Sequence, residues 1–283
     1  MYKHFLFSLL LLFFGATANA SESCITKNLD KNFIAENDLL AIDTSVFVLL
    51  DQTTPMDDNL RSKLKTSLAD FLKDRDDVGY TLDGYSYSSF LAGQYMQHGL
   101  KGVLHEQVLS EKLRNQVVKK DLKSLDSCQK TKSTQVAIKK LDAFIDSVSL
   151  GDEKLVKSDI MESFGKAANE VSKSKAQNKI VVIYSDMLEN SSITSFYASN
   201  AVRKIDHQKE LALAEKSGMF ADFGGARVYV MGAGLVSETG KSKGIYRDPK
   251  MMQALKIFWT EWFKRSNAEL VEFGTPEMLG SIQ

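Results

Sequence analysis

The chain has 283 residues, and its 36 Lys and Arg residues balance 36 Asp and Glu residues, so the formal net charge is zero. This balance argues against a protein that binds nucleic acid or another polyanion through bulk positive charge. The chain contains only three prolines and no low-complexity tract. We therefore expect a globular protein with one substantial core and no flexible interdomain linker.

The first 20 residues have the pattern of a secretory signal peptide. Lys3 precedes an apolar stretch over residues 5–14, and small residues follow as far as position 20, ending in an A-x-A cleavage site. A retained membrane anchor is the alternative, but the apolar stretch is shorter than the roughly 20 residues of a spanning helix. We predict a mature protein over residues 21–283 that is periplasmic or secreted, with no stable membrane span after removal of the signal peptide.

Two cysteines, Cys24 and Cys128, belong to the predicted mature chain. An even number of cysteines in an oxidising compartment favours a disulfide. The sequence leaves a second interpretation open, in which the two thiols are unrelated and Cys24 lies in a frayed N-terminal segment.

Continuous apolar runs predict three strands that are buried on both faces. They cover residues 46–50 (VFVLL), 179–187 (KIVVIYSDM) and 226–234 (ARVYVMGAG), and a further run over 268–274 closes the series. Amphipathic helices are predicted near residues 57–74, 134–148, 158–174, 199–216 and 249–264. Strands that alternate with helices indicate an α/β fold, with a doubly wound, mainly parallel central sheet flanked by helices.

Two segments do not fit this simple alternation. Residues 78–90 (VGYTLDGYSYSSF) predict a strand, or a hairpin that turns at Asp83-Gly84. Residues 91–150 indicate a helical insertion, in which KSLDSCQKTKS (123–133) is predicted to be the turn of a helical hairpin. We thus predict a single domain over residues 21–283 with a helical insertion at about 91–150.

Polar residues follow two of the predicted strands directly. Asp51, Thr53 and Thr54 come after the first apolar run, and Asp186 ends the second. Because parallel strands end at a common edge, and because that edge holds the ligand site of open α/β sheets, we expect these side chains to lie together.

The motifs at these strand ends resemble those of von Willebrand factor A-type (vWA) domains, in the degenerate form found in exported bacterial proteins. Residues 51–55 (DQTTP) resemble the D-x-S-x-S motif, 157–167 (KSDIMESFGKA) the motif of the central helix, and 183–187 (IYSDM) the end of the fourth strand. The resemblance covers roughly residues 45–75 and 155–275.

The resemblance implies a metal-ion-dependent adhesion site formed by Asp51, Thr53, Ser158 and Asp186. A hard cation such as Mg²⁺ or Mn²⁺ prefers oxygen ligands and keeps several waters, so this set of side chains suits it. The family has a serine ligand where this chain has Pro55, which carries no side-chain oxygen. We therefore expect weak binding, on the order of millimolar, that is not required for folding. In the alternative interpretation no metal binds, and the two aspartates only cap backbone N–H groups.

The function predicted on this basis is that of an exported, non-catalytic protein-interaction module whose partner is another envelope or secreted protein. The alternative is a metal-dependent phosphohydrolase, because two strand-end aspartates can also hold Mg²⁺ for phosphoryl transfer. A periplasmic solute-binding protein is a third possibility, but it would require two similar lobes. The sequence has no G-x-S-x-G motif and no H-E-x-x-H motif, which disfavours a serine hydrolase or a zinc protease.

Overall fold

The computed structural model describes eight segments of the chain. They cover residues 24–29, 42–75, 79–91, 94–102, 108–149, 158–198, 201–235 and 248–283. The predicted signal peptide, residues 1–20, lies outside the described residues.

A six-stranded sheet forms the centre of the described structure. Its strands and a separate two-stranded hairpin are β1 (Thr44–Asp51), β2 (Tyr80–Leu91), β3 (Gln94–Leu100), β4 (Asn178–Tyr184), β5 (Tyr197–Ala198), β6 (Ala201–Val202), β7 (Ala226–Met231) and β8 (Ala268–Phe273). The order across the sheet is β3-β2-β1-β4-β7-β8, and all neighbours are parallel except β2 and β3. The three predicted apolar strands are adjacent central strands, which confirms the predicted α/β fold class.

Helices flank this sheet, and their starts follow from local chemistry. They are α1 (Cys24–Asn28), α2 (Asp58–Lys73), α3 (Glu111–Arg114), α4 (Lys119–Cys128), α5 (Thr134–Val148), α6 (Ile160–Lys173), α7 (His207–Lys216) and α8 (Pro249–Arg265). Asp57 accepts a hydrogen bond from the amide of Leu60 at 2.8 Å and so caps α2. None of the helices in the described segments is long and apolar enough to cross a membrane.

Both faces of the central strands are buried, which explains their continuous apolar character. Phe47 and Leu49 of β1 pack in one core with α6, α7 and α8, whereas Val46, Val48 and Leu50 pack in a second core with α2 and α5. Each of the five is 4% exposed or less. Burying a side chain of this size contributes about 1.5–3 kcal/mol, so both cores fix the register of β1.

The segment 78–90 forms no hairpin at Asp83-Gly84. Both residues lie inside β2, where Asp83 pairs with Phe47 and Gly84 pairs with Val48 of β1. The glycine serves close packing instead of a turn, because a Cβ atom at Gly84 would lie only 2.6 Å from the ring of Phe144. The part of this segment that the structure describes thus belongs to one long strand, Tyr80–Leu91.

The predicted insertion at about 91–150 begins too early and includes elements of the central fold. Gln94–Leu100 is the edge strand β3, antiparallel to β2. Helix α5 packs against α2 and against the sheet, so it is one of the flanking helices. Among the described residues, the part outside the two main cores is limited to the region of α1, α3 and α4.

The predicted helical-hairpin turn at 123–133 is also wrong. Helix α4 continues through a π-helical turn, Gln129–Ser133, directly into α5. Residues 119–148 contain no glycine or proline, so the chain has no local element that would break the helix.

A disulfide joins Cys24 to Cys128 with a Cα–Cα distance of 5.7 Å. It attaches α1 to the end of α4, beside a small core that contains Leu109, Leu113 and Leu125. The structure therefore decides in favour of the disulfide over two unrelated thiols.

Candidate functional site

The candidate site lies at the carboxyl ends of β1 and β4, which are adjacent parallel strands. Asp51 is the last residue of β1, and Asp186 comes two residues after the end of β4. The strands pair in register, with Leu50 opposite Tyr184, so the two aspartates leave the sheet at the same edge.

The carboxyl group of Asp51 is surrounded by hydroxyl donors. Its Oδ1 accepts hydrogen bonds from Thr53, from the amide at 2.9 Å and from the hydroxyl at 2.6 Å. Its Oδ2 accepts from the hydroxyls of Ser185 at 2.7 Å and Ser158 at 3.4 Å. Three segments that are distant in sequence therefore meet at one carboxyl group.

Asp186 is held by a different set of groups. Its Oδ1 accepts from the amide of Leu188 at 2.8 Å, and its Oδ2 accepts from the hydroxyl of Tyr197 at 3.1 Å. Its own amide donates to the hydroxyl of Thr54 at 3.2 Å, which connects Asp186 to the loop after Asp51. The structure thus brings all four predicted site residues, Asp51, Thr53, Ser158 and Asp186, to the same edge of the sheet.

The two aspartates are buried without a basic partner. Asp51 is 1% exposed and Asp186 is 8% exposed. The ion pairs among the described residues include neither of them. Burial raises the pKa of Asp51 above its ordinary value, although the hydroxyl and amide donors oppose that shift. Burial, together with the nearby charge of Asp51, raises the pKa of Asp186 to about 8.

Such a pair of carboxyl groups favours a state in which its negative charge is neutralised. A proton or a bound cation can do this, and either avoids the cost of two unpaired buried charges. The side chains of the four predicted site residues end in carboxylate or hydroxyl oxygens, and oxygen ligands fit a hard divalent cation. The role of the four residues as metal ligands itself stays a prediction.

The same geometry also contains the contacts expected if no metal binds. Asp51 accepts from the amide of Thr53, and Asp186 accepts from the amide of Leu188, each two residues further on. These are the local capping contacts that aspartate commonly makes in turns. Pro55 has no side-chain oxygen to offer the cluster. Its backbone carbonyl accepts a hydrogen bond from the hydroxyl of Tyr184 at 3.0 Å.

Sequence reasoning missed two members of the cluster. Ser185 precedes Asp186 directly in the IYSDM motif, so a hydroxyl next to a strand-end aspartate was the available signal. Tyr197 belongs to β5 and carries no motif that relates it to Asp186. The position of Tyr197 depends on the course of the loop after β4. Trp259 of α8 holds the start of this loop by donating a hydrogen bond to the carbonyl of Met187 at 2.8 Å.

No protein-family model matches the sequence, and a search of curated proteins finds no match. The search of solved structures finds similar chains, all at low identity. A pilus adhesin, SpaC from Lactobacillus rhamnosus GG, has 10% identity and a TM-score of 0.42 over 81% of this chain and 28% of that chain. An aerotolerance-related membrane protein from Bacteroides fragilis has 14% identity and a TM-score of 0.34 over 81% of this chain and 92% of that chain.

A third similar structure is the vWF domain of the type V pili tip protein Mfa5 from Porphyromonas gingivalis. It has 13% identity and a TM-score of 0.29, and the match covers 65% of this chain and 53% of that chain. This chain spans only 28% of the length of SpaC and about half the length of the Mfa5 structure.

Proposed function

We propose that this protein is an exported, non-catalytic protein-interaction module that binds its partner at the carboxyl ends of β1 and β4. The observation that carries the proposal is the convergence of Asp51, Thr53, Ser158 and Asp186 at one edge of the sheet. These residues come from three segments. The hydroxyls of Thr53 and Ser158 donate to Asp51, and both aspartates are buried without an ion pair among the described residues.

A weak divalent-cation site at this edge is part of the proposal. Mg²⁺ or Mn²⁺, when bound, supplies positive charge and a coordination position that a carboxylate of the partner can occupy. The hydroxyls of Thr53 and Ser158 offer direct ligands, while Asp51 and Asp186 supply the negative charge. Two further hydroxyls, those of Ser185 and Thr54, hold Asp51 and the backbone of Asp186 in place.

Cation binding is tested by calorimetric titration of the mature protein with MnCl₂. We expect a dissociation constant on the order of millimolar, because few protein ligands replace the waters of the ion. Asp51→Asn and Asp186→Asn should abolish the signal. Asp43→Asn is the matched control, because Asp43 lies just before β1, at the opposite end of that strand from Asp51. Equal titration of all variants would place the cation elsewhere.

Partner binding at this edge is tested by photo-crosslinking in native cells. A photo-crosslinking residue replaces Gln52, which lies between two of the site residues, or the exposed Gln177, which lies at the amino end of β4. We expect an adduct from position 52 that EDTA or Asp51→Asn weakens, and none from position 177. Equal adducts from both positions, unaffected by EDTA, would contradict the proposal.

The phosphohydrolase alternative predicts a different result. The hydroxyls of Thr53, Ser158 and Ser185 all donate to Asp51, and no histidine contacts them in the part of the chain that the structure describes. We expect no turnover of a generic phosphomonoester with Mg²⁺ or Mn²⁺. Turnover that Asp51→Asn removes and Asp43→Asn retains would establish an enzyme.

A further inference from the structure

Glu189 is a third buried carboxyl group near the site, and the proposed function assigns it no role. It follows Asp186 by three residues and is 1% exposed. Its Oε2 accepts a hydrogen bond from the amide of Met161, in the first turn of α6, at 3.0 Å. Glu189 therefore caps the start of α6 from a distant loop.

The same loop also holds the residue just before this helix. The amide of Asn190 donates to the carbonyl of Ser158 at 3.0 Å, and the two residues form an antiparallel bridge. The loop folds back on itself, because the amide of Phe196 donates to the carbonyl of Glu189 at 2.8 Å. Phe196 is fully buried and packs edge-on against Phe258 of α8.

These contacts form a clamp that we define as Glu189, Asn190 and Phe196. The clamp fixes the chain on both sides of Asp159, since it binds Ser158 before that residue and Met161 after it. Ser158 then lies with its hydroxyl 3.4 Å from Oδ2 of Asp51. A displacement of the start of α6 would move this hydroxyl directly.

The position of Glu189 is costly unless the contact with α6 compensates for it. Burial raises the pKa of Glu189 to about 8, while a hydrogen bond from the Ser191 side chain and the amides of Met161 and Ile160 oppose that shift. The partial positive charge at a helix N-terminus and an aligned amide donor stabilise a buried carboxyl group at this place. An apolar residue would avoid the desolvation cost but would leave the amide of Met161 without this acceptor.

We propose that Glu189 is a positioning residue. By clamping the first turn of α6, it holds the hydroxyl of Ser158 within hydrogen-bonding distance of Asp51, where both residues can serve the cation site. This inference rests on the proposed cation site, because it gives Glu189 the role of orienting Ser158, one of the proposed ligands of that site. Residues of this kind typically change metal affinity by about 10–100-fold when they are mutated.

The experiment compares Glu189→Ala, Glu189→Asp and Glu189→Gln with Glu162→Ala. Glu162 lies in the same helical turn but is partly exposed and pairs with Lys166, so it is the control for charge. Two quantities are measured on folded protein: hydrogen exchange of the peptide that covers residues 158–165, and Mn²⁺ affinity. Glu189→Gln keeps an oxygen acceptor at the same reach, whereas Glu189→Asp keeps the charge and is one methylene shorter.

We expect Glu189→Ala and Glu189→Asp to accelerate exchange in this peptide and to weaken Mn²⁺ binding by about 10-fold or more. Glu189→Gln should restore most of both, and Glu162→Ala should change neither. If Glu189→Ala does not fold, Glu189→Asp provides the same comparison.

A lower melting temperature with unchanged exchange at residues 158–165 and unchanged Mn²⁺ affinity would show a purely structural role and overturn the inference. If the wild-type protein binds no Mn²⁺, the proposed cation site fails. The exchange data alone then decide whether Glu189 holds the first turn of α6 in place. In that case, unchanged exchange in Glu189→Ala and Glu189→Asp would overturn the inference as well.

Discussion

The two ends of β1 are both rich in polar side chains, but the hydrogen bonds that these side chains form differ between the two ends. At the amino end, the hydroxyl of Ser45 contacts those of Ser174 at 2.7 Å and Thr81 at 2.8 Å. Asp43, also at this end, accepts from the side-chain amide of Asn178 at 2.8 Å. The hydroxyl groups there contact one another, and the carboxylate is only partly buried.

At the carboxyl end, hydroxyls donate to a buried carboxyl group instead. Asp51 and Asp186 lie together there, and neither forms an ion pair with a described basic residue. The comparison shows that polar residues at a strand end do not by themselves mark a site. The feature that distinguishes the carboxyl end is a pair of buried carboxyl groups that no basic side chain of the described residues pairs with.

The largest expected difference between the two ends concerns pH. In the cation-free protein the pKa of Asp186 is about 8 when folded and about 3.9 when unfolded. The folded state thus binds more protons between these values, so its stability is full below about pH 4 and is lost as the pH rises through 8. We expect Asp186 alone to lower the free energy of unfolding by about 4 kcal/mol between pH 5 and pH 9.

Urea denaturation of matched variants checks this prediction. Asp186→Asn should remove much of the fall but not all of it, because Glu189 titrates in the same direction. A profile that rises with pH in the wild-type protein would contradict the assignment of buried, unpaired carboxyl groups to this end.

The next largest effect concerns two matched serines. Ser185 and Ser45 are 0% and 2% exposed, but Ser185 donates to a carboxyl group whereas Ser45 contacts hydroxyls. We expect Ser185→Ala to cost about 2–3 kcal/mol and Ser45→Ala about 1 kcal/mol in the free energy of unfolding. Urea denaturation at pH 7 without divalent cation measures both, and equal losses would remove the distinction between the two ends.

Cation addition should produce a smaller and pH-dependent effect. A site occupied at a few times its dissociation constant adds about 1 kcal/mol to stability. Because the cation requires ionised carboxylates, the gain should be greater at pH 8 than at pH 6. Thermal melting in EDTA and in excess Mg²⁺ tests this, with Asp43→Asn as the control. A large destabilisation by EDTA would indicate a tight structural metal instead.

The smallest effect is expected for Tyr197→Phe. It removes the hydroxyl that donates to Oδ2 of Asp186 at 3.1 Å, while the ring is retained. We expect a loss of about 1 kcal/mol at pH 9, where Asp186 is ionised, and less at pH 5. Denaturation at the two pH values measures it, and an equal loss at both would show that the hydroxyl does not act through the charge of Asp186.

Short-range patterns predicted much of the fold. Apolar runs predicted β1, β4 and β7, and the 3.6-residue periodicity predicted α5 at residues 134–148, the bounds that the structure shows. Helix α7 begins at His207 instead of near 199, because Tyr197–Ala198 and Ala201–Val202 form a hairpin and Asp206 caps the helix. Two-residue strands carry no periodicity, so the sequence offers no signal for them.

The remaining errors arose where the tertiary environment decided the structure. Gly84 resembles a turn residue in sequence, but the ring of Phe144, 60 positions away, requires it to be glycine inside a strand. The residues at 123–133 resemble a polar turn, but they contain no helix breaker and continue as helix from α4 into α5.

The sequence by itself determined the central strands β1, β4 and β7, most of the helices that flank the sheet, and the presence of aspartate and hydroxyl residues at two strand ends. These features depend on neighbours within a few residues, so a local pattern is sufficient to predict them. Only the tertiary structure decided which groups surround Asp51. Ser158 and Ser185 are separated from it by 107 and 134 residues, and only the parallel register of β1 and β4, with the clamp on α6, brings them within hydrogen-bonding distance.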